Sequence, residues 1–83
     1  MKNKVLIELY IVETDNHYNL YIPVNEYIGK VIKLIVASAF ELNDVEHINK
    51  EYYLINPDNG EVYDNHLLIR DSNIKNAKTV YLV

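Results

Sequence analysis

One segment, Glu26 to Leu42, has the length and period of a full helix, and the rest of the chain has to accommodate it. At about 100° per residue, Ile28, Val31, Ile32, Ile35, Ala39 and Leu42 fall on one stripe, while Glu26, Lys30, Lys33 and Glu41 gather opposite. Asn25 stands just ahead as the expected N-cap, and Glu26 with Lys30 forms an i, i+4 ion pair in the favourable orientation. The β-branched residues Val31, Ile32, Ile35 and Val36 weaken the intrinsic propensity of the segment. Gly29 weakens it further, by up to about 1 kcal/mol relative to alanine. Packing must therefore hold this helix, and its apolar stripe requires a sheet to lie on.

Strand-like segments flank it on both sides. From Val5 to Val12 the single charge, Glu8, sets the phase: Val5, Ile7, Leu9 and Ile11 point to the core, and Leu6, Glu8, Tyr10 and Val12 point away. Glu13 to His17 is rich in turn formers, and Asn19 to Val24 alternates again, with Leu20 and Ile22 inward and Tyr21 outward, completing a hairpin. Pro23 ends the second strand. Beyond the helix, Asn43 to Lys50 reads as a loop in which Val45 and Ile48 tuck under the sheet in a single turn. Glu51 to Asn56 is a strand by composition, Pro57-Asp-Asn-Gly60 is a strong turn signal, and Glu61 to Tyr63 is expected to pair back as a short strand. Asp64 to Lys78 is a winding connection with a short 3-10 turn, and Thr79 to Val83 is the last strand. The order β-β-α-β-β-β describes one α+β domain over residues 1–83, a mixed sheet packed on one helix at about residues 26–42. Its expected core is Ile7, Leu9, Leu20, Ile22, Ile28, Val31, Ile35, Leu54, Ile74, Val80 and Leu82.

With 83 residues the chain buries roughly 60–65% of its unfolded surface, and with no cysteine the core alone supplies stability. Met-Lys-Asn-Lys at the start runs into Val-Leu-Ile and then Glu8, too short an apolar run for a secretory signal. The uncharged run Leu34 to Phe40 is far below the ~20 residues of a membrane span. A soluble, cytoplasmic protein is expected. Its net charge of −4 and scattered basic residues argue against nucleic acid as a partner. His17, His47 and His66 lie in separate turns or loops without the i, i+4 spacing of a metal site. Asp58, Asn59, Gly60, Glu61 and Asp64 lack the residue order of a calcium loop and fit a hairpin turn. Ser38 falls at the edge of the helical stripe, and Ser72 follows Asp71 in a turn, neither in a nucleophile elbow. No glycine-rich phosphate loop is present. No catalytic, cofactor or metal site is expected, and the chain does not read as an enzyme.

Asp71-Ser-Asn-Ile74 and, after an intervening stretch, Thr79-Val-Tyr-Leu-Val83 resemble the end of ubiquitin, where Asp-x-Asn-Ile precedes Thr-Leu-x-Leu-Val at the same spacing. Leu54-Ile55 is similar to the Leu-Ile of ubiquitin's third strand, and Ile22 to Ile28 matches the interval between its second strand and helix. The resemblance covers nearly the whole chain and implies a ubiquitin-like β-grasp. The sequence departs from the conjugated modifiers and sulfur carriers of that fold at its end: it stops at Val83, and its glycines are Gly29 and Gly60 rather than a terminal pair. Without a terminal glycine carboxylate to be adenylated, the chain as written reads as a stand-alone module. The alternative is a sulfur carrier or modifier whose Gly-Gly tail is absent from this chain. The tail-less form and Tyr18-Asn-Leu-x-Ile-Pro23 before the helix most resemble the small YukD/EsaB-type ubiquitin-like proteins of Gram-positive type VII secretion. That likeness implies a non-catalytic cytosolic accessory whose partner is a secretion-apparatus protein or a second copy, with no insertion into the membrane.

The chain contains eight tyrosines. By strand phase Tyr10, Tyr21, Tyr53 and Tyr81 project from the sheet face opposite the helix, and the ubiquitin-like strand order places them on four adjacent strands. Ile55 and Val83 share that phase and correspond to two members of ubiquitin's exposed apolar recognition patch, with Tyr81 where that patch carries its histidine. Tyr10, Tyr21, Tyr53, Ile55, Tyr81 and Val83 are thus the expected protein-binding face. Strand propensity and AT-rich coding, which also favours Ile, Asn and Lys, would produce the same excess of tyrosine without an interface.

Overall fold

A computed structural model describes residues 3–39 and 51–83. The expected end of the helix at Phe40 to Leu42, the loop over Asn43 to Lys50 and His47 lie outside the described residues. The first strand, β1, is Lys4–Ile11, followed by β2 at Asn16–Pro23, helix α1 at Ile28–Ala39, β3 at Leu54–Ile55, a 3-10 turn at Ile69–Asp71 and β4 at Lys78–Leu82. The sheet order is β2-β1-β4-β3, with β1 antiparallel to β2, parallel to β4, and β4 antiparallel to β3. Among the described residues the mixed sheet, the one α-helix and the 3-10 turn agree with the sequence reading, with four strands in the sheet where five were expected.

The core is the seam between the helical stripe and the inner face of the sheet. Ile28, Val31, Ile32 and Ile35 of α1 are buried against Ile7, Leu9 and Ile11 of β1, Ile22 of β2, Leu54 of β3, and Val80 and Leu82 of β4, with Ile69 and Ile74 closing one end. Of the residues expected inside, Leu20 alone is only partly buried, because β2 is the outermost strand and α1 does not reach over it completely. Tyr52 is a core member the sequence did not single out. It shares the inward phase of Leu54, and its hydroxyl donates to Glu13 Oε1 at 3.1 Å, so the ring is buried with its polar tip satisfied.

Several boundaries differ from expectation: β2 starts at Asn16 rather than Asn19, the strand expected over Glu51 to Asn56 is only Leu54–Ile55, and two further differences have local reasons. The helix begins at Ile28, since the chain before it is tied to the 64–70 segment: Tyr27 bridges Leu68, the Ile69 N–H donates to the Glu26 carbonyl, and the Arg70 N–H donates to that of Val24. The carbonyls of Leu67 and Asn65 accept from the Ile28 and Gly29 N–H groups at 2.9 and 3.1 Å and do the capping expected of Asn25. The Asn25 Oδ1 instead accepts from Arg70 Nη1 at 3.2 Å. Gly29 permits this close approach, as a Cβ there would stand 3.2 Å from Asn65 Cβ.

The second difference is at the Pro57–Gly60 turn. Gly60 takes φ +74° as the turn chemistry requires, and the Asn56 and Asn59 side chains accept from the Asp58 and Glu61 N–H groups. The expected strand from Glu61 to Tyr63 is reduced to one bridge, Ile55 with Val62, although the Asn56 N–H reaches the Glu61 carbonyl and the Tyr63 N–H reaches that of Leu54. Beyond this bridge the Tyr63 hydroxyl donates to Asn73 Oδ1 at 2.6 Å, tying the segment to the next connection.

A candidate protein-binding face

Strand register fixes which outward residues are neighbours. Tyr10 of β1 stands opposite His17 of β2 and Tyr81 of β4, Tyr81 stands opposite Ile55 of β3, and Ile55 bridges Val62. One aromatic and aliphatic row, His17–Tyr10–Tyr81–Ile55–Val62, thus crosses the whole sheet. The Tyr10 and His17 rings stack with centroids 4.5 Å apart, and Tyr10 meets Tyr81 edge-on at 5.2 Å. Beside this row Tyr53 and Val83 exchange main-chain hydrogen bonds at 2.9 Å, and the Val12 N–H donates to the Leu82 carbonyl, so Tyr53, Val83 and Val12 form a second apolar row. On the other side lies a polar row, Asn19, Glu8 and Thr79, where the Thr79 hydroxyl donates to Glu8 Oε1 at 3.3 Å.

Of the six residues expected on the face, Tyr10, Tyr53, Ile55, Tyr81 and Val83 are brought together. Tyr21 is not. It pairs with Leu6, beyond the polar row, and is 54% exposed. Val12, His17 and Val62 join the patch without having been named for it. The phase of Val12 was already outward. His17 was assigned to the turn, but β2 starts at Asn16, and the odd positions of that strand share the outward face.

Carboxylates edge the patch. The Tyr10 hydroxyl donates to Asp15 Oδ1 at 2.8 Å, and this hydrogen bond, with burial and the Asp15 charge, holds the phenol above its ordinary range. The Tyr53 hydroxyl donates to Glu51, with the same consequence for its ionisation. Glu8 lies in the adjoining row. Lys78, at the opposite end of β4, is engaged by Asp58 Oδ2 at 2.6 Å and Asn56 Oδ1 at 3.1 Å, and the Asp58 hydrogen bond raises the lysine above its ordinary value.

No protein-family model and no curated protein sequence matches the chain. Its architecture does match solved structures. A protein described under "Molecular Mimicry of SUMO promotes DNA repair" superposes with TM-score 0.78 at 16% identity, covering 98% of this chain and 91% of that one. The N-terminal ubiquitin-like domain of the 4931431F19Rik protein superposes at 0.72 with 14% identity over 98% of this chain and 74% of that one. The fold is a ubiquitin-like β-grasp. The same ubiquitin-like fold aligns at TM-score 0.74 and 9% identity with a chain of a toluene 4-monooxygenase complex, over 95% of both chains. At these identities the likeness establishes the β-grasp architecture, and chemistry has to be read from this chain's own residues.

Among the described residues no three His, Cys, Asp or Glu side chains stand together as a metal site, and no helix is long and apolar enough to cross a membrane. Ser72 is structural: its Oγ donates to the Ile69 carbonyl at 2.6 Å and accepts from the Ile74 N–H at 3.1 Å. Ser38 is exposed on α1. What the β-grasp presents is a shaped, partly apolar face with acidic margins.

Proposed function

We propose that this chain is a non-catalytic protein-interaction module that binds its partner through the outward sheet face, as a cytosolic accessory of a type VII secretion apparatus. The observation carrying the first part is the His17–Tyr10–Tyr81–Ile55–Val62 row with Tyr53, Val83 and Val12 beside it. Aromatic side chains with few rotatable bonds, bordered by charge, have the composition of binding hot spots. Glu8, Asp15 and Glu51 at its margins select a partner with an apolar centre and Lys or Arg around it. A neighbour described as "ATBAG1 in complex with HSP70" shares the fold with TM-score 0.69 at 13% identity over 95% of this chain and 39% of its own, which supports a protein-binding role for such a domain. The secretion context rests on the likeness of Tyr18-Asn-Leu-x-Ile-Pro23 to the YukD/EsaB type.

The test is titration against purified cytosolic domains of a type VII apparatus. Val62, at 55% exposed, and the half-buried Ile55 lie within the row. Ile55→Lys and Val62→Lys are expected to weaken binding by about 2 kcal/mol or more, because the new charge must be desolvated in the complex. Val62→Lys should leave the melting temperature unchanged, and Ile55→Lys should lower it by only a few degrees. Lys33→Glu, on the exposed back of α1, is the control. Binding lost with Lys33→Glu but retained in both row variants moves the interface to the helix, and failure of every domain to bind removes the secretion assignment.

A further inference from the structure

The sheet has an open edge at β2. The Leu6 carbonyl accepts from the Ala77 N–H and the Val12 N–H donates to the Leu82 carbonyl, so the even positions of β1 hydrogen-bond toward β4 and the odd positions toward β2. Their partners in register are Asn16, Tyr18, Leu20 and Ile22, and the Val24 N–H continues the series by donating to the Asn3 carbonyl. His17, Asn19 and Tyr21 therefore turn their N–H and C=O groups outward, with no partner among the described residues. This run is bounded on one side by Asp15, at φ 55°, and on the other by Pro23, which has no N–H. It is symmetric about Asn19.

Edge strands are ordinarily blunted by charge, proline or a bulge. From Asn16 to Pro23 there is no Asp, Glu, Lys or Arg, the proline is terminal, and the register with β1 is unbroken. Both β1 and β4 carry lysine, and β1 carries Glu8 as well. Copies of a chain with net charge −4 repel wherever their carboxylates meet, and the neutral β2 edge lets two copies approach without that repulsion.

We infer that the occupant of this edge is a second copy of the chain, paired antiparallel through β2 about a two-fold axis at Asn19. In this register Asn19 faces its own counterpart and His17 faces Tyr21 of the other copy, each opposed pair exchanging both main-chain hydrogen bonds. A shift by two residues in either direction replaces one of these with Pro23 or with the left-handed Asp15, so the symmetric register uses the free groups most completely. It also gives Tyr21 a place, because the side chain isolated in one copy lies beside His17 of the other and extends the row through Tyr10 and Tyr81. Inward, Tyr18 meets Leu20 of the other copy, covering side chains that line an open groove of about 530 Å³ between β2 and α1. One strand edge buries less than the ~1,600 Å² of a standard interface, so the dimer is weak and dependent on concentration.

The chain has no natural cysteine, which makes the register directly readable. In a hydrogen-bonded antiparallel pair the opposed Cα atoms are about 5.5 Å apart, within disulfide range. Asn19→Cys should form a disulfide dimer on mild oxidation at least about tenfold faster than Tyr21→Cys, whose two copies lie on either side of the axis. His17→Cys mixed with Tyr21→Cys should give mainly the mixed dimer. All these positions are exposed, and circular dichroism of the reduced proteins establishes that each is folded. Sedimentation of the wild type at millimolar concentration should show dimer, lost in Tyr21→Lys and kept in Val62→Lys, so the edge and the outward face fail separately. Equal cross-linking at all three positions overturns the proposal. So does a wild type that stays monomeric but takes up a foreign extended peptide along β2.

Discussion

Ala77 holds a left-handed backbone conformation, φ 66°, immediately before β4. It does so because its neighbours fix it: the Asn76 Oδ1 accepts from the Leu6 N–H at 2.9 Å, and the Ala77 N–H donates to the Leu6 carbonyl at 2.8 Å. For an L-residue with a Cβ that conformation costs roughly 1–2 kcal/mol, part of which glycine would return as unfolded-state entropy. Ala77→Gly is therefore expected to stabilise the domain by about 0.5–1 kcal/mol, measured as a rise in the urea midpoint at constant slope. This strain was not legible beforehand, since Asn-Ala-Lys has no turn signature, whereas Pro57-Asp-Asn-Gly60 declared its positive φ at Gly60 directly. Tyr21 was misplaced in the patch for a related reason. Phase says which face a residue takes, but only the register with β1 says which row, and register depends on partners far away in sequence.

Elements were read best where their own periodicity decides them. Most of the α1 stripe was visible: Ile28, Val31, Ile32 and Ile35 are buried, Ala39 is partly buried, and Leu42 lies outside the described residues. Ile35→Ala should cost about 2–5 kcal/mol in a denaturant melt, the range for truncating a buried aliphatic side chain, and a loss below half a kcal/mol would remove Ile35 from the core. Elements were misjudged where a neighbour takes over their hydrogen bonds. The helix start moved from Glu26 to Ile28 because Asn65 and Leu67 supply the capping carbonyls, and the strand after Gly60 shrank to the Ile55–Val62 bridge. Neither event leaves a local mark in the sequence. The candidate face was legible to the same depth, with its strands and phase foreseen and its exact membership decided by pairing.

At the scale of the whole molecule, tyrosine and lysine hydrogen bonds make stability sensitive to alkali. Tyr10 and Tyr53 are raised chiefly by hydrogen bonds to Asp15 and Glu51, Tyr63 by burial, and Lys78 by its hydrogen bond to Asp58. A group whose folded value lies above its unfolded one contributes stability that is complete below the unfolded value, near 10 for these side chains, and is lost as pH rises through the folded value. The urea midpoint should therefore hold steady through neutral pH and fall above about pH 10, and replacing Tyr10 and Tyr53 by phenylalanine should make that fall shallower. The centre of the sheet has a different consequence, one of timing. Its middle pair, β1 with β4, joins parts of the chain as distant as Glu8 and Thr79, 71 residues apart. A ribosome making this protein releases the first hairpin and α1 long before the strand that binds them together. Until β4, Lys78–Leu82, emerges, Ile7, Leu9 and Ile11 have no strand partner on that side, so the sheet cannot close before that segment is made.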